Sequence, residues 1–102
     1  MVIVSVLYPN TPDSGFDYDY YRETHLPLVR ELLEPSGMRS MSYVIPTGDA
    51  NTVPFRLIAE LRFETMEATN AALLAHGAKT QADIVNFTDI TPYIVIGHEI
   101  LA

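Results

Sequence analysis

With 102 residues, 48% of them hydrophobic and 19% charged, the chain is the size of one ordinary domain, with no segment of disordered-tail composition. Thirteen acidic side chains against six basic ones give a net charge of -7, whose field repels phosphate backbones and anionic lipid, so neither nucleic acid nor membrane is an expected partner. The absence of cysteine excludes thiolate catalysis, disulfides and thiolate metal sites.

The opening MVIVSVLYPN has no basic segment and no long apolar run, and it reads as a strand from Val2 to Tyr8 rather than a signal peptide. No apolar run of about 18 residues follows anywhere, so a soluble cytoplasmic protein is expected. A loop, PNTPDSG, leads to Asp17 as N-cap of a first helix, which should end near Glu34, where Pro35 and Gly37 interrupt the pattern. Met38 to Pro46 and Pro54 to Glu64 are the next two strands. In the second of these Phe55, Leu57, Ala59, Leu61 and Phe63 alternate with Arg56, Ile58, Glu60 and Arg62, which predicts one markedly apolar face. Thr65 is the candidate N-cap of a second helix that pauses at His76-Gly77 and resumes through AKTQADIVNF, and Pro92 to Ala102 reads as a closing strand.

This order, βαββαβ, predicts a single α+β domain over residues 1–102 with the ferredoxin-like arrangement: a four-stranded antiparallel sheet with helices on one face. Val2, Val4, Val6 and Tyr8 share one side of the first strand, and Ile3, Ser5 and Leu7 the other; in the last strand Tyr93 and Val95 oppose Ile94, Ile96 and Ile100. Both faces are largely apolar, so the face without helices is expected to be covered by a second copy in a homodimer, with Arg56, Glu60 and Arg62 supplying its polar part.

The chemistry of the chain gathers in DYDYYRETHLPLVRELLE. Tyr18, Tyr21, His25, Leu28 and Leu32 recur at spacings of three and four, which puts His25 on the core-facing stripe. Pro27 has no amide hydrogen and its ring crowds the carbonyl of Glu23, so a bend or break is expected near residues 23 to 27, with Leu26 displaced from helical angles. His25 then has two readings: a structural histidine bonded to a carbonyl freed by the bend, or a general base pointing into a gap between helix and sheet. Tyr21 shares its stripe and is the better ligand partner than Tyr20, which points about 100° away. Tyr43, Phe63 and Phe87, with Tyr93, are candidates to line an apolar pocket, although aromatics in strands also build cores. His76 reads as a solvated loop residue and His98 as structural. The three histidines are far apart and no zincin helix, phosphate loop or nucleophile elbow is present, so no metal and no cofactor are expected; one histidine would suffice for a haem, but nothing favours one.

The segments YPN, FDYDYYRETHLPLV, PFRLIAELRFET and ADIVNFTDITPYIV, in that order along nearly the whole chain, resemble the EthD-type family, with DYYRETHLPLV the most specific part. The resemblance implies a dimeric α+β barrel, in which ferredoxin-like monomers pair through their sheets. It also implies a pocket between helices and sheet with the histidine of the His-x-Pro element, His25, near it. The family takes its name from an ether-degradation system, and related folds carry cofactor-free cyclases, decarboxylases and monooxygenases, muconolactone isomerase and haem-handling enzymes. The expected function is binding of a hydrophobic or aromatic small molecule with His25 as acid/base; the alternative is a non-catalytic carrier that serves an oxygenase.

Overall fold

The computed structural model describes all 102 residues. Strand β1 (Val2–Pro9) leads to a first helix built of an α-helical start, Tyr18–Tyr20, a π-helical turn, Tyr21–His25, and an α-helical run, Leu26–Leu33. Strands β2 (Met38–Val44) and β3 (Phe55–Phe63) follow, then a second helix (Met66–Ala82) that tightens into a 3-10 turn (Asp83–Asn86), and finally β4 (Tyr93–His98). Both N-caps form as the sequence predicts: the Asp17 carboxylate accepts from the Tyr20 amide at 3.0 Å, and the Thr65 hydroxyl accepts from the Ala68 amide at 3.0 Å.

The sheet order is β2-β3-β1-β4, and every neighbouring pair is antiparallel. This is the ferredoxin-like order, in which each helix connects two parallel strands with a third between them. The barrel expected above is overturned. The sheet is open, because β2 and β4 lie at opposite edges and each pairs on one side only, and four strands are too few to curl into a closed cylinder.

Alternation along β3 decides what the sheet buries. Leu57, Ala59, Leu61 and Phe63 are at most 6% exposed, and register places Val2, Val4 and Tyr8 of β1 on the same side. Each fully buried large side chain contributes about 1.5 to 3 kcal/mol, so this face, with Leu26, Val29 and Leu33 of the first helix, holds the core. The molecule is only 19 Å across its thinnest axis, as one helical layer on one sheet requires. The other face carries Ile3, Leu7, Ile58, Tyr93 and Val95 around Ser5, Ser42, Glu60 and Arg62. No helix covers it.

Three local expectations need correction. The first helix does not break at Pro27, and Leu26 keeps helical angles, φ -61° and ψ -44°. The helix absorbs the missing proline amide by widening: the Leu26 amide donates to the carbonyl of Tyr21, five residues back, which is how a single π turn takes in one extra residue. That extra residue rotates the buried face, so beyond His25 the core takes Leu26, Val29 and Leu33, while Leu28 and Leu32 are half-buried. The second helix also runs unbroken through His76-Gly77; an interior glycine costs a helix about 1 kcal/mol but does not stop it, and Gly77 is buried. Finally, β4 stops at His98, because its neighbour β1 begins at Val2 and the last backbone bond runs from the Glu99 amide to the Met1 carbonyl. Residues 100–102 have no strand left to pair with.

Candidate functional site

A cavity of about 360 Å³ lies between the two helices and the sheet. Thirteen of its seventeen lining residues are hydrophobic, which suits an apolar ligand fixed by a few polar groups. Val4, Val6 and Tyr8 of β1 form part of its floor; Tyr21, His25 and Val29 form one wall, and Gly77 and Thr80 of the second helix belong to the other. The π turn matters here because it carries both Tyr21 and His25, and π turns recur where a helix must aim side chains at a site.

His25 is 6% exposed. Its ring stacks on Tyr21, with centroids 5.4 Å apart and planes at 24°, and meets Phe87 at 4.6 Å. The ring does not take a carbonyl freed by a helix bend. Instead Nδ1 lies 2.9 Å from Oδ2 of Asp83, the first residue of the 3-10 turn. Oδ1 of Asp83 accepts from the Tyr20 hydroxyl at 2.8 Å and from Asn86 Nδ2 at 2.9 Å.

The electrostatics follow from these contacts. Burial pushes the His25 imidazolium below its ordinary range, and the bond to and charge of Asp83 only partly offset this. For Asp83, partial burial works to raise its pKa, but the donors on Asn86, His25 and Tyr20 together outweigh it and hold the carboxyl below the usual carboxylate range. Near neutral pH the pair is therefore a carboxylate beside a neutral imidazole. An ionised carboxylate only accepts, so Nδ1 carries the proton and Nε2 carries the lone pair. Nε2 makes no bond within the chain, and no buried side-chain nitrogen or oxygen is both unpaired and sealed. Nε2 thus keeps access from the cavity that His25 lines.

Of the other residues singled out from sequence, Tyr21 reaches the cavity wall. Tyr43 and Phe87 stand behind it, packing against Tyr21 at 5.3 Å each, and neither lines the cavity. Phe63 is fully buried and pairs with Val2, at the opposite end of β3 from the Leu57 that pairs with Tyr8. Tyr93 lies exposed on the bare face. His76 is half-buried within the second helix rather than in a loop, and His98 ends β4 in the open. No three His, Asp or Glu side chains converge as a metal site would need. Sequence reasoning missed Asp83, Tyr8 and the bond of Tyr20. One signal was available: an acidic residue just past a helix C-terminus is electrostatically disfavoured and asks for a partner.

A ferredoxin-like α+β protein whose histidine and aspartate meet at the wall of an apolar cavity is the class that fold and site define. Residues 13–91 match the EthD domain, and the chain belongs to the EthD family. It is 32% identical to an EthD-like protein from Ralstonia eutropha JMP134, with a TM-score of 0.80 over 94% of this chain and 88% of that one. An EthD family protein from Bacillus halodurans C-125 superposes with a TM-score of 0.68 at 24% identity, covering 98% and 99% of the two chains. A protein from Arabidopsis thaliana does so at 0.72 and 17%, covering 100% and 98%. The last two likenesses concern the fold alone. No curated protein matches the chain. No helix is long and apolar enough to cross a membrane.

Proposed function

We propose that the chain binds a hydrophobic or aromatic small molecule in the cavity between helices and sheet, and that His25, held by Asp83, acts on it as a general base without a cofactor. The observation that carries this reading is the 2.9 Å contact between His25 Nδ1 and Asp83 on the wall of an apolar cavity of about 360 Å³. A base needs its lone pair free, its ring fixed and its product cation stabilised. Asp83 supplies the last two. Proton abstraction at an activated carbon or a phenol held in this apolar cavity is the step the arrangement serves best.

His25→Asn tests the reading, because it keeps a polar group of similar reach and removes the titratable base. Proton transfer to or from a bound ligand should fall by about 10²- to 10⁴-fold while affinity is kept. A wild-type protein that binds such ligands and never exchanges their protons would be the carrier instead.

We also propose that the working form is a homodimer whose partner covers the bare face of the sheet. Tyr93 and Val95 are 65% and 56% exposed there, beside Ile3, Leu7 and Ile58, and a patch of this kind favours a protein partner over water.

A further inference from the structure

Two tyrosines in the cavity wall have hydroxyls that the fold does not use. Tyr8 and Tyr21 are 1% and 2% exposed, and a phenol this deeply buried ordinarily has a hydrogen-bond partner. Neither hydroxyl bonds to anything in the chain, in contrast to Tyr20, whose hydroxyl donates to Asp83. No buried side-chain oxygen is both unpaired and sealed, so the small surface that each residue keeps includes its hydroxyl. Both residues line the cavity. They come from different elements, β1 and the π turn, yet their rings stand 6.4 Å apart, edge to face, and Tyr21 stacks on His25. Fold stability alone gives no reason for two unpaired phenols beside an apolar cavity, where phenylalanine would pack as well.

We propose that the hydroxyls of Tyr8 and Tyr21 donate hydrogen bonds to an oxygen of the ligand, and that the cavity takes a neutral carbonyl compound with an acidic C–H beside the carbonyl. This rests on the reading of His25 as the base. Burial pushes both phenols far above their ordinary range, so they stay protonated and serve as donors. No lysine or arginine lines the cavity, and the one carboxylate behind His25 is negative, so an anionic ligand has no counter-charge to meet. In the step itself, Nε2 of His25 takes the proton, the electron pair of the broken C–H bond becomes the new carbon–carbon double bond, the π pair of the carbonyl moves onto its oxygen, and the enolate oxygen accepts from the two phenols. The imidazolium faces Asp83 and the enolate faces the tyrosines, so each new charge has a partner and no further reactant is needed. Returning the proton to the same carbon gives exchange with solvent; where the ligand carries a carbon–carbon double bond conjugated with the enolate, returning it to the far carbon of that bond gives a double-bond isomer.

The test uses 2-tetralone and tetralin, the same bicyclic skeleton with and without the carbonyl, as probes of the intact protein. Affinity is measured by calorimetry and exchange of the α-protons in D₂O by NMR. Tyr8→Phe and Tyr21→Phe should each weaken 2-tetralone binding by about fivefold, the worth of one neutral hydrogen bond, slow the exchange, and leave tetralin binding unchanged. Neither substitution should lower the melting temperature, since neither removes a bond within the chain. Unaltered 2-tetralone affinity and exchange in both variants would overturn the donor pair, and a loss of exchange in His25→Asn at the same time would leave the base standing. Carbonyl-selective binding that the tyrosine variants lose, with no exchange even in the wild type, would support the donor pair and remove the base. Failure of the wild type to bind either probe would overturn both.

Discussion

Nδ1 of His25 and Oδ2 of Asp83 meet at 2.9 Å across 58 residues of sequence, so the one buried histidine is tied to the turn that ends the second helix. With the bond from the Tyr20 hydroxyl to the same carboxylate, the contact ties the first helix to that turn. It also sets the tautomer of the ring, and most tests of the site follow from it.

Replacing Asp83 with Asn keeps the size of the side chain and removes its charge. The bond to and charge of Asp83 hold the His25 pKa up against burial, so Asp83→Asn should move the NMR titration midpoint of the His25 ring to lower pH. Base-dependent proton exchange should fall by at least about tenfold, because the ring is no longer held in one tautomer. An unmoved midpoint would show that the carboxylate does not govern the ring.

Stability should depend on pH through the same residue. The folded-state pKa of His25 lies below its ordinary value, so as pH falls through about 6.5 the unfolded chain takes up a proton before the folded one does. The contribution is complete above that pH and is lost progressively down to the depressed folded-state value, below which His25 adds no further change. Asp83, also depressed, adds a second loss below the ordinary carboxylate range. Urea melts at pH 7.5 and pH 5 should show the first decline in the wild type and a flatter profile in His25→Asn. The rate of any His25-dependent exchange should rise with pH and level off below pH 6.5.

Filling the cavity separates binding from folding. Val6 lines it from β1 and is half-buried, so Val6→Phe should project a ring into the space and reduce ligand affinity more than about tenfold while the strand tolerates the change. Phe63→Leu, at the far end of β3, should do the reverse: lower stability by about 1 to 2 kcal/mol and leave ligand affinity alone. Gly77→Ala should raise thermal stability, since its added methyl would meet Leu73 at an ordinary 3.8 Å and alanine favours a helix interior by about 1 kcal/mol.

Light scattering tests the bare sheet face. The wild type should return twice the chain mass at micromolar concentration, and Val95→Lys, which places a charge at the centre of the apolar edge, should return a monomer with an unchanged circular dichroism spectrum. A monomeric wild type would sink the homodimer.

What the sequence determined by itself were the features that neighbours a few residues apart decide. The alternation of Phe55 to Phe63 specified which face of β3 is buried, and Asp17 and Thr65 marked where two helices begin, because strand pleat and helix caps act over one to four residues. His25 was legible as the residue to watch for the same reason, sitting on a stripe two residues before a proline. Tertiary structure decided the rest. The proline predicted an interruption, but packing against the sheet favoured a widened turn over a broken helix, and that turn moved the buried stripe from Leu28 and Leu32 to Val29 and Leu33. The open edges of the sheet depend on which strands pair. Asp83 could acquire its role only when the sheet brought the end of the second helix against the first, since a carboxylate and an imidazole 58 residues apart have no local pattern to announce them, and the fold alone supplies the burial that lowers the pKa of the ring and the contact that orients it.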